Sequence, residues 1–390
     1  MDINALRDKF ISIYSEKPAI FQSPGRINII GEHTDYNEGF VLPAAIDKYV
    51  YVAISKRSDA EIHLYSVKYN EHVQVDIHSV KKQPQQWANY ILGVVNEFQK
   101  ANFTVGGFNL VLDGNVPGGA GLSSSAALEC AVGYALNNIF SLGIDKIALT
   151  KFAQKAEHNF AGVMCGIMDQ FASVFGKKDH AIKLDCKTHE YEYIPLNLPG
   201  FKMVLFNTNV KHNLSDSAYN KRREACYQGV SWIQEAHPEV QSLRDATVVM
   251  LDEFVLPKDA DIYQKCLYVV EEIERLQLAC ADLEKGDLVS LGQRMFQTHE
   301  GLSKYYEVSC AELDFLVDEV KGNENVLGAR MMGGGFGGCT INLVRDEAID
   351  NLVAQTSVAY QNKFGVELGV YIVNIGEGSS TVELPEMQLN

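Results

Sequence analysis

Several features are missing from this sequence of 390 residues. It has no apolar run long enough to span a membrane, and its N-terminal segment MDINALRDKF lacks the apolar centre of a secretion signal. No run of Lys and Arg exceeds Lys221 to Arg223, and the net charge of −16 argues against a nucleic-acid surface. The sequence therefore predicts a cytoplasmic protein with no membrane or nucleic-acid partner. No feature implies a protein partner, so we expect a monomer.

The eight cysteines are scattered and form no C-x-x-C pair. This spacing predicts free thiols in a reducing compartment rather than disulfides or a zinc site. A chain of this length, with 46% hydrophobic residues, can bury a large core and divide into two domains. Around Leu198-Pro199-Gly200 the sequence changes from β-rich to helix-rich, which predicts domains at 1–198 and 199–390.

A Gly- and Ser-rich stretch, NVPGGAGLSSSAALE at 115–129, lies between a strand-like run at 107–112 and an apolar helical run at 126–136. Such a loop offers unpaired backbone N–H groups and the positive end of a helix dipole to a phosphate. The serines at 123–125 could also ligate a cation bound to phosphate oxygens. The alternative is a Ser N-cap after a flexible loop.

Two familiar motifs do not fit this loop. It lacks the Lys-Ser/Thr ending of a Walker phosphate loop, which argues against an ordinary P-loop nucleotidase. It also carries Ser125 where a nucleophile elbow requires Gly, so a serine hydrolase is not indicated.

A polar block, AIFQSPGRINIIGEHTDYNEG at 19–39, sets hydrogen-bonding side chains between apolar pieces. The carboxylates of Glu32 and Asp35 can accept hydrogen bonds, and the imidazole of His33 can donate or accept one. Side chains of different length that offer both kinds of group suit a polyhydroxylated ligand. A polar turn with an Asx cap and a metal site are the alternatives.

Two further carboxylates lie close in sequence. Glu157 ends a helix predicted at 149–160, and Asp169 follows a glycine-flanked turn in the first turn of a helix running to about 175. Both can converge on one pocket, where one could hold a cation and the other accept a proton. A solvated helix face for Glu157 and a dipole-compensating charge for Asp169 are the alternatives.

The stretch GARMMGGGFGG at 328–338 contains a formal G-x-G-x-x-G, but the run CTINLV after it is strand-like where a dinucleotide fingerprint requires a helix. We interpret it as a loop that approaches another part of the protein or bound phosphates closely. The remaining patterns predict an α+β fold. They indicate antiparallel strands over 49–78, a polar loop or helix start at 207–220, strands at 180–186, 191–196, 201–206 and 369–374, and helices at 1–14, 86–101, 217–236, 260–285, 287–304 and 346–363.

The blocks GRINIIGEHTDYNEG, VPGGAGLSSSAAL and GARMMGGGFGG, in this order, resemble the three signature blocks of the GHMP kinase family. This resemblance implies a two-domain α+β fold, with a ribosomal-protein-S5-like N-terminal domain, a ferredoxin-like C-terminal domain and the active site in the cleft between them. GEHTDYN and CGIMDQF are similar to blocks of the members that phosphorylate galactose. The implied activity is ATP- and Mg²⁺-dependent phosphorylation of the C1 hydroxyl of α-D-galactose, the first step of galactose catabolism.

The resemblance also implies roles for individual residues. Asp169 matches the catalytic aspartate and Arg26 the arginine beside it, while Ser125 and Glu157 match the Mg²⁺-binding pair. The implied sugar-binding residues are Arg26, Glu32, His33, Thr34, Asp35, Gly166, Asp169 and Tyr219. The implied ATP-binding residues are Ser66, Gly119, Ala120, Gly121, Leu122, Ser123, Ser124 and Ser125.

Three alternative functions stay open at this stage. The first is a kinase for a related sugar such as N-acetylgalactosamine or arabinose. The second is a sensor that binds galactose and ATP without catalysis. The third is a purely structural protein, which would leave the clustered acidic side chains without a purpose.

Overall fold

A computed structural model describes residues 2–211 and 215–383. Its helices are α1 (Ile3–Tyr14), α2 (Gln86–Lys100), α3 (Ser124–Ile139), α4 (Lys146–Ala156), α5 (Met168–Phe175), α6 (Ser215–Gln234), α7 (Val248–Phe254), α8 (Ala260–Lys285), α9 (Leu288–Glu300), α10 (Ala311–Val320) and α11 (Ile349–Phe364). Its strands are β1 (Ala19–Asn28), β2 (Phe40–Val41), β3 (Pro43–Lys56), β4 (Glu61–Ser66), β5 (Glu71–Asp76), β6 (Phe108–Gly114), β7 (His180–Asp185), β8 (Tyr191–Pro195), β9 (Phe201–Lys211), β10 (Val326–Met331), β11 (Gly337–Arg345), β12 (Gly369–Val373) and β13 (Ser380–Thr381). No helix in these ranges has the length and apolar character to span a bilayer.

The first sheet has the strand order β13-β1-β3-β6-β4-β5. Side chains alternate across a strand, so β3 directs Val52 and Ile54 toward α2, α3 and α4 and directs Tyr51 and Ala53 toward α1. Both sets are buried. The helices that carry the Gly-Ser loop and the Asp169 turn therefore rest on one face of this sheet.

The expected antiparallel strands over 49–78 are confirmed only in part. β4 and β5 form an antiparallel hairpin, but β3 and β4 are not neighbours, because β6 lies between them. β6 pairs antiparallel with β3 and parallel with β4. Its apolar run from Phe108 to Leu112 is buried on both faces, which suits an interior strand.

The second sheet is antiparallel, with the order β10-β11-β9-β12. One face packs on α10 and α11 through Val204 and Phe206. The other face contributes Met203 and Leu205 to a core that also contains Ile29 from the segment after β1. This shared core connects the two halves of the chain. A third sheet, β2-β7-β8, lies alongside.

β9 begins directly after the Leu198-Pro199-Gly200 turn. The chain then returns to the first sheet, because β13 pairs with β1. A division at 198/199 stays a prediction.

Several predicted elements differ from those observed. β9 continues to Lys211, so the first part of the predicted polar loop at 207–220 is strand, and its residues 212–214 lie outside the described residues. β10 includes Gly328 to Met331, which leaves 332–336 as the glycine loop. α7 and α10 were not predicted. α7 is short and buries only Leu251, so it has too little periodicity to stand out.

Two helix glycines make a matched test of packing. A Cβ on Gly292 in α9 would lie 2.1 Å from the Leu327 carbonyl oxygen, whereas a Cβ on Gly133 in α3 would have neighbours no closer than 3.6 Å. Gly292→Ala should lower the free energy of unfolding by about 2 kcal/mol, since the neighbouring backbone must move. Gly133→Ala should be neutral or stabilise by up to about 1 kcal/mol through helix propensity. Urea unfolding of both variants measures this difference. Equal changes in the free energy of unfolding would contradict the close contact of Gly292 with the Leu327 backbone.

Candidate active site

The Gly-Ser loop connects β6 to the N-terminus of α3. Ala120 and Leu122 are fully buried and anchor the loop. Gly119, before Ala120, and Gly121, between the two anchors, have φ of +77° and +70°, in the left-handed region that favours glycine. Ser123 occupies the N-cap position, yet its side chain makes no capping hydrogen bond. The predicted Ser N-cap is therefore correct in position, but its side chain does not cap the helix, and the first turn of α3 keeps its N–H groups available to an anion.

Two cavities lie on either side of this loop. The Glu32 cavity, of about 500 Å³, is lined by the polar block, the 162–169 turn, Tyr219 and the glycine loop at 333–336. The Ser66 cavity, of about 780 Å³, is lined by Gly119, Ser124 and Ser125 together with side chains from α2 and β4. Arg26 and Asp169 line the first cavity, and Ser124 and Ser125 line the second. Ser123, next to these serines, binds Asp169, so the two groups of residues meet at this contact, which we take as the boundary between the cavities.

Asp169 lies at that boundary. Its Oδ1 accepts a hydrogen bond from Arg26 Nε at 2.9 Å, and its Oδ2 accepts one from Ser123 Oγ at 2.5 Å. Arg26 Nη1 also donates to the Gly121 carbonyl oxygen at 2.5 Å. Asp169 and the Gly-Ser loop are therefore in direct contact. The ion pair compensates Asp169, so a role in balancing its own helix dipole does not account for the position.

Glu157 is buried and lies at the start of a π-helical turn at Glu157–Ala161, because α4 ends at Ala156 rather than at the predicted 160. Its carboxylate accepts hydrogen bonds from Ser125 Oγ at 2.8 Å and Gln170 Nε2 at 2.6 Å. The solvated-face alternative is therefore wrong. Burial raises the pKa of Glu157, and the nearby Asp169 charge adds to this.

The Ser125 and Glu157 pair suits Mg²⁺. No Lys or Arg in the described parts of the chain forms an ion pair with Glu157. Because Glu157 is buried near the charge of Asp169, a cation bound there would stabilise its ionised form. Those parts also contain no cluster of three or more His, Cys, Asp and Glu arranged for a metal. Mg²⁺ commonly uses one or two protein ligands and takes the rest from phosphates and water, so two ligands suffice. The metal interpretation of Glu32, His33 and Asp35 has no support.

Glu32 is fixed by the second half of the chain. Its Oε1 accepts hydrogen bonds from Arg330 Nη1 and Nη2, both at 3.1 Å, and from the Gly333 N–H at 2.8 Å. Arg330 is fully buried and also donates to the carbonyl oxygens of Asn28 and Ile29. Burial alone would raise the pKa of Glu32, but Arg330 and Gly333 outweigh it and hold this pKa below its usual value.

His33 and Asp35 complete this wall of the Glu32 cavity. His33 Nδ1 is 2.8 Å from the Tyr36 hydroxyl, while Nε2 is buried and makes no well-formed hydrogen bond to a described residue, although the Gly334 backbone lies close to the ring. Burial lowers the pKa of His33 to about 4, so the ring is neutral. Burial raises the pKa of Asp35 to about 6. A Cβ on Gly166 would lie 2.0 Å from Asp35 Oδ2, which explains the need for glycine there.

The other predicted site residues fall in different places. The ring of Tyr219 lies 5.3 Å from that of His33, centroid to centroid, and lines the Glu32 cavity. Ser66 is buried and lines the other cavity. Thr34 is fully buried, and its hydroxyl lies within hydrogen-bond distance of the Gly31 and Phe40 carbonyl oxygens. It does not line the Glu32 cavity. Its side chain supports the turn, which argues against the predicted sugar contact.

The glycine loop approaches the protein itself. A Cβ on Gly335 would lie 2.0 Å from the Val308 carbonyl oxygen, and Gly334 borders Tyr219. Arg330 and Gln170, which orient Glu32 and Glu157, were missed by the sequence analysis. Both lie inside the quoted motifs, but the partner of Arg330 is 298 residues away, so only the fold reveals the pairing.

Three family models match the chain. The model of the GHMP kinases N terminal domain matches residues 89–177, the galactokinase galactose-binding signature matches 8–56, and the GHMP kinases C terminal model matches 279–357. A galactokinase of Thermotoga petrophila is 44% identical over 357 residues, which are 92% of this chain and 98% of that protein. A galactokinase of Clostridium acetobutylicum is 39% identical over 386 residues, covering 97% and 99% of the two chains. The chain belongs to the galactokinase family.

The structural likeness agrees with this galactokinase family assignment. The crystal structure of Lactococcus lactis galactokinase complexed with galactose has a TM-score of 0.92 and 34% identity, covering 97% of this chain and 100% of that one. Methanococcus jannaschii mevalonate kinase, at 18% identity and a TM-score of 0.64 over 93% of this chain and 99% of that one, shows the shared fold. The predicted two-domain GHMP kinase fold class is confirmed.

The Arg330 and Glu32 pair generates a stability prediction. Arg330→Met leaves a buried carboxylate without its cation and should lower the free energy of unfolding by about 3–5 kcal/mol. Lys258→Met removes an exposed pair with Glu235 and should cost about 1 kcal/mol or less. Urea unfolding compares the two. The double variant Glu32→Gln/Arg330→Met should be more stable than Arg330→Met alone, because it no longer buries an unpaired carboxylate. A destabilisation of the double variant equal to the sum of those of the two single variants would contradict this explanation.

Proposed function

We propose that this protein transfers the γ-phosphoryl group of ATP to the C1 hydroxyl of α-D-galactose, giving α-D-galactose 1-phosphate and ADP. The observation that carries the proposal is Asp169, bound to Ser123 of the Gly-Ser loop and to Arg26, at the boundary of two cavities. One cavity offers partners for hydroxyl groups and the other a phosphate loop. The galactokinase relatives and the galactose complex of the Lactococcus lactis protein support galactose as the sugar.

Galactose would occupy the Glu32 cavity. Glu32, His33 and Asp35 present two carboxylates and a neutral imidazole to its hydroxyl groups. A cavity built to pair each hydroxyl discriminates against an epimer that leaves one buried group unpaired. Tyr219 would cover the sugar from the side of α6.

ATP would occupy the Ser66 cavity, with Ser66 near the adenine nucleotide and the phosphates on Gly119 to Ser125. The loop N–H groups and the α3 dipole would bind the phosphates. Ser125 and Glu157 would hold Mg²⁺, which when bound supplies positive charge to the phosphate oxygens. That charge would also favour the ionised form of Glu157.

The reaction forms a bond between the C1 oxygen and the γ-phosphorus and breaks the bond to the β-phosphate oxygen of the leaving ADP. Asp169 accepts the proton of the C1 hydroxyl. Arg26 orients the carboxylate through its 2.9 Å hydrogen bond, and its positive charge stabilises negative charge on the transferred group. Direct attack without proton transfer would leave Asp169 only to orient the hydroxyl.

An assay of ATP-dependent sugar 1-phosphate formation tests the function. Galactose should be strongly preferred over glucose, and N-acetylgalactosamine and arabinose serve as the competing substrates. Comparable kcat/KM for galactose and glucose would contradict the assigned sugar contacts. Binding of galactose and ATP with no turnover would favour the sensor alternative.

The same assay tests Asp169. Asp169→Asn keeps the shape but removes the base and should lower kcat by roughly 10²-fold or more. Asp145→Asn is the matched control, because Asp145 only caps α4 and Asn caps equally well. A folded Asp169→Asn protein with unchanged kcat would remove Asp169 from the chemistry.

The metal assignment makes a separate prediction. Ser125→Ala and Glu157→Gln should each raise the Mg²⁺ concentration needed for half-maximal rate by roughly 10-fold, since each removes one of two protein ligands. The KM for galactose at saturating Mg²⁺ is the internal control and should change little. If neither variant shifts the Mg²⁺ dependence, the metal is held elsewhere.

A further inference from the structure

A chain of hydrogen bonds lies behind His33, on the side away from the Glu32 cavity. His33 Nδ1 is 2.8 Å from the Tyr36 hydroxyl, which is 2.7 Å from the Tyr306 hydroxyl. The Tyr306 hydroxyl is 3.3 Å from Cys226 Sγ. Tyr306 is fully buried and follows the π-helical turn at Gly301–Tyr305 after α9, so this chain joins the polar block to the second half of the protein.

Tyr306 is itself held in place. Arg222 Nε donates to its carbonyl oxygen at 2.5 Å, and its ring packs against that of Tyr268 at 4.9 Å between centroids. The turn before it requires glycine, because a Cβ on Gly301 would lie 2.6 Å from the Tyr268 ring. The hydroxyl of Tyr306 therefore has a fixed position relative to Tyr36.

The proton order along this chain has two solutions. In one, Tyr306 donates to Tyr36, Tyr36 donates to His33 Nδ1, and the ring proton is on Nε2. In the other, the ring proton is on Nδ1, so His33 donates to Tyr36 and Tyr36 donates to Tyr306. The Tyr306 hydroxyl must then donate to the Cys226 sulfur, which is a weak acceptor. The first solution gives both buried phenol groups a strong acceptor, so it has the lower free energy. It requires a neutral ring, which the lowered pKa of His33 provides.

We propose that Tyr36, placed by its contact with the Tyr306 hydroxyl, is a positioning residue that holds His33 as the Nε2–H tautomer, so that His33 donates a hydrogen bond to an oxygen of the bound sugar. The identity of the sugar rests on the proposed function. The neighbours of His33 explain why the cavity needs a donor. Glu32 and Asp35, when ionised, can only accept hydrogen bonds from sugar hydroxyls. The His33 Nε2–H complements these two carboxylates, because it donates a hydrogen bond to a lone pair of a sugar oxygen.

Nitrogen NMR of protein labelled at its ten histidines tests this without any substrate. The His33 signal is assigned by its loss in His33→Asn. Wild-type His33 should show a protonated Nε2 and an unprotonated Nδ1. Tyr36→Phe should give shifts averaged between the two tautomers, because Nδ1 then has no hydroxyl to donate a hydrogen bond to it. Tyr360→Phe is the matched control, since it removes another fully buried hydroxyl, bonded to the Thr208 carbonyl oxygen, and should leave His33 unchanged.

Kinetics with singly deoxygenated galactoses tests the consequence. In the wild type, one deoxy sugar should lose roughly 10-fold or more in kcat/KM through the missing His33 contact. In Tyr36→Phe this penalty should shrink several-fold, with a larger change in KM than in kcat, while Tyr360→Phe keeps the full penalty.

A wild-type His33 protonated on Nδ1 would overturn the proposal, as would an unchanged tautomer and an unchanged penalty in folded Tyr36→Phe. If Tyr36→Phe does not fold, the tautomer of wild-type His33 decides the proposal. Failure of the proposed function is distinguishable, because it appears as wild-type protein that forms no galactose 1-phosphate while the tautomer measurement stands.

Discussion

The ion pair between Arg26 and Asp169 is the contact on which the site depends. It joins a central strand of the first sheet, β1, to the first turn of α5, and the same guanidinium reaches the Gly121 carbonyl oxygen. Ser123 binds the other oxygen of the carboxylate. The strand, the helix and the phosphate loop are thereby fixed relative to one carboxylate. Phosphoryl transfer consists mainly of positioning and charge neutralisation, so this arrangement is the main contribution of the protein.

The site concentrates negative charge in a protein that is already acidic. Glu32 is neutralised within the protein by Arg330, and Asp169 by Arg26. Glu157 has no such cation among the described residues, and neither does Glu129, which is fully buried beside it. Burial raises the pKa of Glu129, and the charge of Glu157 raises it further. Glu129 therefore favours its uncharged form, and the charge of Glu157 lies beside the phosphate loop, where bound Mg²⁺ would offset it.

The sequence was most informative where a motif combines composition with context. The Gly-Ser loop, the Asp169 turn and the polar block could each be located, because glycines and flanking apolar runs mark loops on buried elements. The order of strands in the first sheet could not be predicted, since the position of β6 between β3 and β4 depends on the path of α2. The contribution of the second half was also hidden. Arg330 and Tyr306 act on Glu32 and His33 across hundreds of residues, and no local pattern encodes such pairing. Thr34 shows the converse case, because its side chain lies inside a motif but supports the turn, so its predicted sugar contact stays a prediction.

The most direct test of the account is a crystal structure of the protein with galactose, Mg²⁺ and a non-hydrolysable ATP analogue. The account predicts the C1 hydroxyl within about 3 Å of an Asp169 oxygen, as proton transfer requires, and the γ-phosphate on the Gly119 to Ser125 loop in line with that hydroxyl. A sugar bound with C1 directed away from Asp169, or a triphosphate bound away from the loop, would contradict it.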